Sequence, residues 1–221
     1  VTEHGRLVEL NLLKTTEIDA YFLEYAPYLR TFTAPKLLKL GAHSLYNVPK
    51  LIVFKAPALR FVGELCLACA KELQVLHAEK VEEFGNGCLL DVKNLPELRL
   101  PYLKRAGNNF LRFAKNLHVF EAPEAEEFGA GSLEKVGIKH LNLPNVRIIH
   151  NRFLCRAENL ISFTAPNLEE AENECCTLLD KVPVLSFPKL KKAGEYFLWQ
   201  VPSLSSLQAP VLEEVGHFSL L

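Results

Sequence analysis

Apolar residues recur along this chain at a spacing of 22 residues, with a single interval of 21. Aligning on Leu29-Arg30-Thr31-Phe32-Thr33-Ala34-Pro35 places repeat starts at Leu7, Leu29, Leu51, Leu73, Leu95, Leu117, Ile138, Leu160, Val182 and Leu204. Position 1 is Leu, Ile or Val in all ten units, position 4 is Leu or Phe, position 6 is Ala, Leu or Phe, and position 12 is always apolar. Position 17 is Leu in nine units and Cys176 in the eighth. Five fully apolar columns would arise by chance with a probability on the order of 10⁻¹⁵ in a chain that is half apolar.

So short a unit cannot enclose a core of its own. It must bury its apolar face against its neighbours, which makes the stack the folding unit. Alternation at positions 4 and 6 predicts one short strand per coil, ended by Pro at position 7 in eight of the ten units. Gly at position 13 in seven units (Gly41, Gly63, Gly85, Gly107, Gly129, Gly194 and Gly216) predicts a turn with positive φ. Asp19 and His150 suit that conformation, and Glu172 suits it less. The return limb is expected to carry position 17 inward through a loop or about a turn of helix. The fold class is thus a solenoid of about ten coils with a parallel β ladder on one face. At roughly 4.8 Å per coil it is about 45 Å long.

These elements, seen for example in Leu103-Lys104-Arg105-Ala106-Gly107-Asn108-Asn109-Phe110-Leu111, resemble the BspA-like, or Treponema-type, leucine-rich repeat. The likeness spans residues 7–221 and departs from the family in two ways. The Phe after a small residue is mostly Leu here, and the Cys near the end of the unit is replaced by Val or Ala (Val48, Ala70, Val92, Ala114, Val136). Both changes keep the core apolar. The resemblance implies a leucine-rich-repeat solenoid of the kind found in surface, adhesive and host-interacting proteins of microbes and protists. It implies no chemistry.

A net charge of −1 and 49% apolar content describe a folded chain without the global basic field of a general nucleic-acid binder. No apolar run of 18 residues predicts membrane insertion, and no signal peptide is visible. A chain that starts at Val1, has no Met and stops within a repeat is expected to be a piece of a longer protein. The expected organisation is a lead-in over 1–6 and one repeat array over 7–221. Uncapped ends predict self-association.

With positions 1, 4 and 6 turned inward, positions 2, 3 and 5 are left to project from the strand. The candidate partner-binding strip is Val53, Lys55, Val75, His77, Glu97, Arg99, Val119, Glu121, His140 and Asn142. Its valines beside charged residues match the apolar centre and charged rim of a protein interface. A second charged pattern has another purpose. Glu82-Glu83, Lys104-Arg105, Glu126-Glu127, Arg147, Glu169-Glu170, Lys191-Lys192 and Glu213-Glu214 alternate in sign from coil to coil. That order favours correct stacking and opposes a slip by one coil.

The cysteines follow the repeat. Cys66, Cys88 and Cys175 fall at position 16 and Cys176 at position 17, which points to small buried core residues. Cys66 and Cys69 form a CxxC with no second pair at zinc spacing, and stacked Cys66 and Cys88 are the one disulfide candidate. His118 and His140 near Glu121 suggest a weak metal site but lack a third fixed ligand, so exposed contact residues are expected instead. No phosphate loop, HExxH or GxSxG occurs, so no catalytic role, cofactor or metal is expected.

The leading reading is a non-catalytic protein-interaction module, such as the recognition arm of an effector, with a protein of unknown identity as partner. The alternative is an adhesin or display repeat. A third reading, a polyanion binder through Lys55, His77 and Arg99, predicts steep salt dependence. Unpaired cysteines favour a reducing compartment, the cytosol or a host cytosol, over the cell surface.

Overall fold

The computed structural model describes residues 2–3 and 6–220; of the expected lead-in, Val1, His4 and Gly5 lie outside the described residues, as does Leu221 at the end of the array. Ten coils stack with residue-to-residue register, so that Phe32 pairs with Phe54 and Leu98 with Phe120, 22 residues on. Each coil carries two strands rather than the single one expected. The front strands fall at positions 3–5, from Glu9–Asn11 and Thr31–Thr33 through to Ser206–Gln208. The back strands fall at positions 11–12 and form one parallel ten-stranded sheet, from Glu17–Ile18 to Glu214–Val215.

Of the two returns expected, a loop or a turn of helix, the helix is absent among the described residues. A chain of overlapping turns replaces it. Positions 15, 17 and 19 hold positive φ in coil after coil, as in His43 (59°), Leu45 (56°) and Asn47 (50°). Ser44 N donates to Gly41 O and Tyr46 N to His43 O, so each turn begins two residues after the last. The left-handed residues aim their N–H groups along the stack: His43 to Glu64 O, Asn47 to Ala68 O, and Leu45 back to Phe22 O, at 2.7, 2.9 and 2.8 Å. A left-handed L-residue costs about 1 kcal/mol. The inter-coil bonds and the burial of the position 17 side chain, at about 1.5–3 kcal/mol for a Leu, offset that cost.

The glycines of position 13 do not have the expected positive φ; among the described glycines only Gly87 and Gly131, at position 15, do. Position 13 is glycine because two backbones meet there. A Cβ on Gly63 would lie 2.5 Å from Ala42 N, and one on Gly41 2.4 Å from Ala20 N. The approach is set by bonds from position 13 N–H to the position 12 carbonyl below, such as Gly63 to Leu40 at 2.8 Å. Asp19, His150 and Glu172, which stand at position 13 in the other coils, do not hold positive φ either. His150 and Glu172 follow the short coil and pair with each other, Nδ1 to Oε1 at 3.0 Å.

The five expected columns are buried through the middle of the stack except at half-buried Leu76, and positions 9, 16 and 20 join them. Bulk is shared between positions 12 and 16: Ala106 accompanies Phe110 and Ala193 accompanies Phe197, whereas Phe84 accompanies Cys88 and Phe128 accompanies Ser132. The cysteines here are more than the inert apolar residues expected. At position 16, Cys66, Cys88 and Cys175 donate to the carbonyls of Gly41, Gly63 and His150 in the coil below, as Ser44 and Ser132 do to Asp19 and Gly107. Cys66 and Cys88 lie side by side as free thiols, not as a disulfide.

The front sheet is broken into four segments where the back sheet is continuous. Two breaks fall at Pro96 and Pro183, which occupy position 2 and lack the N–H that Ile52 and Gln74 use to reach the coil below. The third follows coil 6, the unit of 21 residues, whose corner is cut by Gly137. A Cβ there would lie 1.9 Å from Lys115 O. Beside this irregularity the carboxylate of Glu134 is buried between Arg112 (3.0 Å) and Arg152 (3.2 Å), and Arg152 continues to Glu174 at 2.7 Å. The network ties coils 5 to 8 together across the short unit.

Candidate functional site

The front strands place positions 3 and 5 toward solvent because position 4 between them is held in the core. Val53, Val75 and Val119 are half-buried; Lys55, His77, Glu97, Arg99, Glu121, His140 and Asn142 are exposed. The pairing register sets Val53 beside Val75 and Lys55 beside His77. It sets Glu97 beside Val119 and Arg99 beside Glu121. One charge is less available than its sequence suggests. Arg99 is held by Glu97 at 2.5 Å and Glu121 at 3.4 Å, and these carboxylates raise its pKa. His77 pairs with Glu79 at 3.0 Å. The strip is therefore a compensated surface, with Lys55 as its cation without a described acidic partner.

Four of the ten strip residues converge. Val119, Glu121, His140 and Asn142 line a front groove of about 540 Å³ with His118, Pro123, Ser162 and Thr164. The groove lies over the break between coils 6 and 7. Ser162 and Thr164 occupy positions 3 and 5 of coil 8, and Ser162 Oγ lies 2.8 Å from His140 Nδ1. Their small polar side chains gave no signal in the sequence beyond their place in the repeat. The remaining strip, Val53 to Arg99, leads into this groove from the N-terminal side.

The alternating back charges pair between coils: Arg60 with Glu82 at 2.8 Å, Arg105 with Glu83, Lys104 with Glu126 at 3.6 Å, Arg147 with Glu169 at 2.6 Å and Lys192 with Glu214 at 3.3 Å. Arg147 lowers the pKa of Glu169 through its hydrogen bond. Position 14 adds a ladder that charge patterning does not reveal. The side-chain oxygens of Asn86, Asn108, Asn151 and Asn173 each accept the backbone N–H of position 14 in the coil above, at 2.8–3.0 Å. Both features hold register on faces away from the front strip. The turn face of coils 1 and 2 gathers Tyr21, Tyr25, Tyr28 and Tyr46, with Tyr25 and Tyr46 edge to face at 5.5 Å.

Among the described residues no group of three or more His, Cys, Asp or Glu is placed to hold a metal ion, and no helix is long and apolar enough to cross a membrane. Burial raises the pKa of Cys88, Cys175 and Cys176, Cys175 to about 12. These thiols are poor nucleophiles, since the thiolate is the reactive form.

The coil geometry and its leucine columns define a leucine-rich-repeat solenoid built from two parallel sheets and a turn face. No family model and no curated protein matches the chain. The chain is similar to a leucine-rich repeat protein from Bacteroides ovatus whose crystal structure is known, at 11% identity over 98% of this chain and 84% of that one, with a TM-score of 0.35.

Proposed function

We propose that this solenoid is a non-catalytic protein-interaction module that takes a partner along the front strip from Val53 to Asn142. The observation that carries the reading is the contrast between columns. Positions 1, 4, 6 and 12 repeat the same chemistry for the core, whereas the exposed positions 3 and 5 change from coil to coil and end in the groove at coils 6–8. Half-buried Val53, Val75 and Val119 supply apolar area, and the surrounding charges limit which partner fits. The compensated charge of Arg99 favours a mixed protein surface over a polyanion. The array over 7–221 acts as one unit in this reading, working in the cytosol or a host cytosol.

The test is affinity capture by the wild-type chain compared with Val75→Asp and Arg99→Glu, read by mass spectrometry after circular dichroism confirms folding. Val75→Asp puts a charge in the apolar centre, and Arg99→Glu leaves three carboxylates together. Both variants are expected to lose the same set of partners while Lys36→Glu, away from the strip, retains it. Capture unchanged by both front variants would reject the strip and favour a display repeat.

A further inference from the structure

We infer that the corner notch at the short coil is an anion site that takes a phosphate-type oxyanion. The notch has a volume of about 300 Å³ and is lined by Lys115, Lys135, Val136, Gly137, Arg156, Glu158 and Asn159. It exists because coil 6 lacks one residue. Where other coils fill positions 21 and 22, coil 6 has Gly137 alone before Ile138, so its corner carries no side chain at either position.

The charge in this notch is uncompensated. Among the described residues none of Lys115, Lys135 and Arg156 makes an ion pair, and Glu158 is the one carboxylate in the lining. Lys135 instead rests over the Phe113 ring at 5.2 Å, with Arg112 over the same ring at 4.7 Å. This orders the Lys135 stem beside the opening. The Oδ1 of Asn159 accepts from Lys181 Nζ at 3.0 Å, which fixes the amide and leaves Nδ2 as a donor.

The same corner two coils further down the stack shows what such an arrangement holds. In coil 4, position 19 is Asp91, and its carboxylate oxygens lie 3.9 Å from Lys71 Nζ and 3.6 Å from Lys93 Nζ, the lysines at position 21 of coils 3 and 4. In coils 6 and 7 position 19 becomes Lys135 and Arg156, while Lys115 still occupies position 21 below. The acid that neutralises the corner in coil 4 is replaced by two further cations around an opening. An external oxyanion supplies the missing charge. Three cations against one carboxylate match a dianion, and the planar guanidinium of Arg156 suits two oxygens at once. This site is on a different face from the front strip and does not depend on it.

The experiment is isothermal titration, at low and raised salt, of the wild-type chain with inorganic phosphate and separately with a short phosphoserine peptide. Binding by either that weakens at least tenfold in Arg156→Glu and in Lys135→Glu, and is unchanged in Lys36→Glu, supports the site. Binding of the free ion identifies the phosphate group alone as sufficient, and binding of the peptide only adds its chain as part of the ligand. No binding of either probe, or binding that the notch variants leave intact, overturns the proposal. Circular dichroism of each variant, with the coil 4 variant Asp91→Asn as a folding reference for the corner, separates lost binding from lost structure.

Discussion

Replacing Gly63 by Ala is a direct measure of how the coils are spaced. Gly63 has no positive φ, so backbone entropy alone predicts that Ala stabilises the protein by about 0.4–1 kcal/mol. The structure predicts the opposite sign. The new Cβ would lie 2.5 Å from Ala42 N and 2.8 Å from Ala42 Cα, both backbone atoms of the coil below. Relief to an ordinary contact opens the stack by about 1 Å at that point. The Gly63 N to Leu40 O bond of 2.8 Å then lengthens beyond useful range, and its neighbours in the back sheet are strained. Overpacking at about 1–3 kcal/mol and one or two weakened bonds at about 1 kcal/mol each give a loss of about 2–5 kcal/mol. Gly87→Ala is the control. Gly87 has a φ of +68°, but its Cβ would meet Leu65 Cδ2, the movable end of a side chain. Non-glycine residues such as Leu65 and Asn109 hold the same φ at position 15 in other coils, so the expected cost is about 1 kcal/mol. Urea denaturation followed by circular dichroism gives both values. A Gly63→Ala stability within about 1 kcal/mol of wild type, or a Gly87→Ala loss equal to it, would refute the close-approach account.

Two further outcomes follow from buried groups. Glu134→Gln leaves Arg112 and Arg152 facing a neutral amide in a site whose carboxylate was 2% exposed, and a loss of about 3 kcal/mol is expected. Hydrogen exchange should quicken in coils 5–7 before the ends; unchanged exchange there would show that the network does not hold the short coil. The Cys175 thiol, raised from 9.0 to about 12, is protonated in the folded chain where the unfolded chain ionises. Its contribution is fully present below pH 9 and is lost as pH rises toward 12, about 4 kcal/mol across that span at 1.4 kcal/mol per tenfold. Cys175→Ser puts at this site the hydroxyl donor found in coils 2, 6 and 10. It should reduce the alkaline loss of stability measured by denaturation at several pH values, the buried thiols of Cys88 and Cys176 keeping the remainder, and an identical pH profile would contradict the assignment.

The candidate site was legible to different depths along the strip. Alternation at positions 3, 4 and 5 was enough to identify Val53 to Asn142 as outward-facing, because a strand has a period of two and its buried side was evident. The pairing of Arg99 with both Glu97 and Glu121 combines a near neighbour with a residue one coil away, and only the register makes the three carboxylate and guanidinium groups meet. Ser162 and Thr164 entered through the groove, which arises from a break in the sheet rather than from any motif.

By itself the sequence determined the solenoid, its period, its core columns and the alternating charges that keep it in register, because stacking repeats every local pattern and so multiplies a weak signal tenfold. Tertiary structure decided what the return limb is and why its residues were chosen. Three left-handed residues per coil are affordable only with inter-coil bonds to receive their N–H groups, and nothing in Tyr21, Leu45 or Arg152 announces that conformation. Glycine at position 13 answers to the coil below, a neighbour 22 residues away, and not to its own φ. The one-residue deletion before Ile138 reads as a minor irregularity in sequence. In three dimensions it removes the filling of a corner and leaves Lys115, Lys135 and Arg156 around a space.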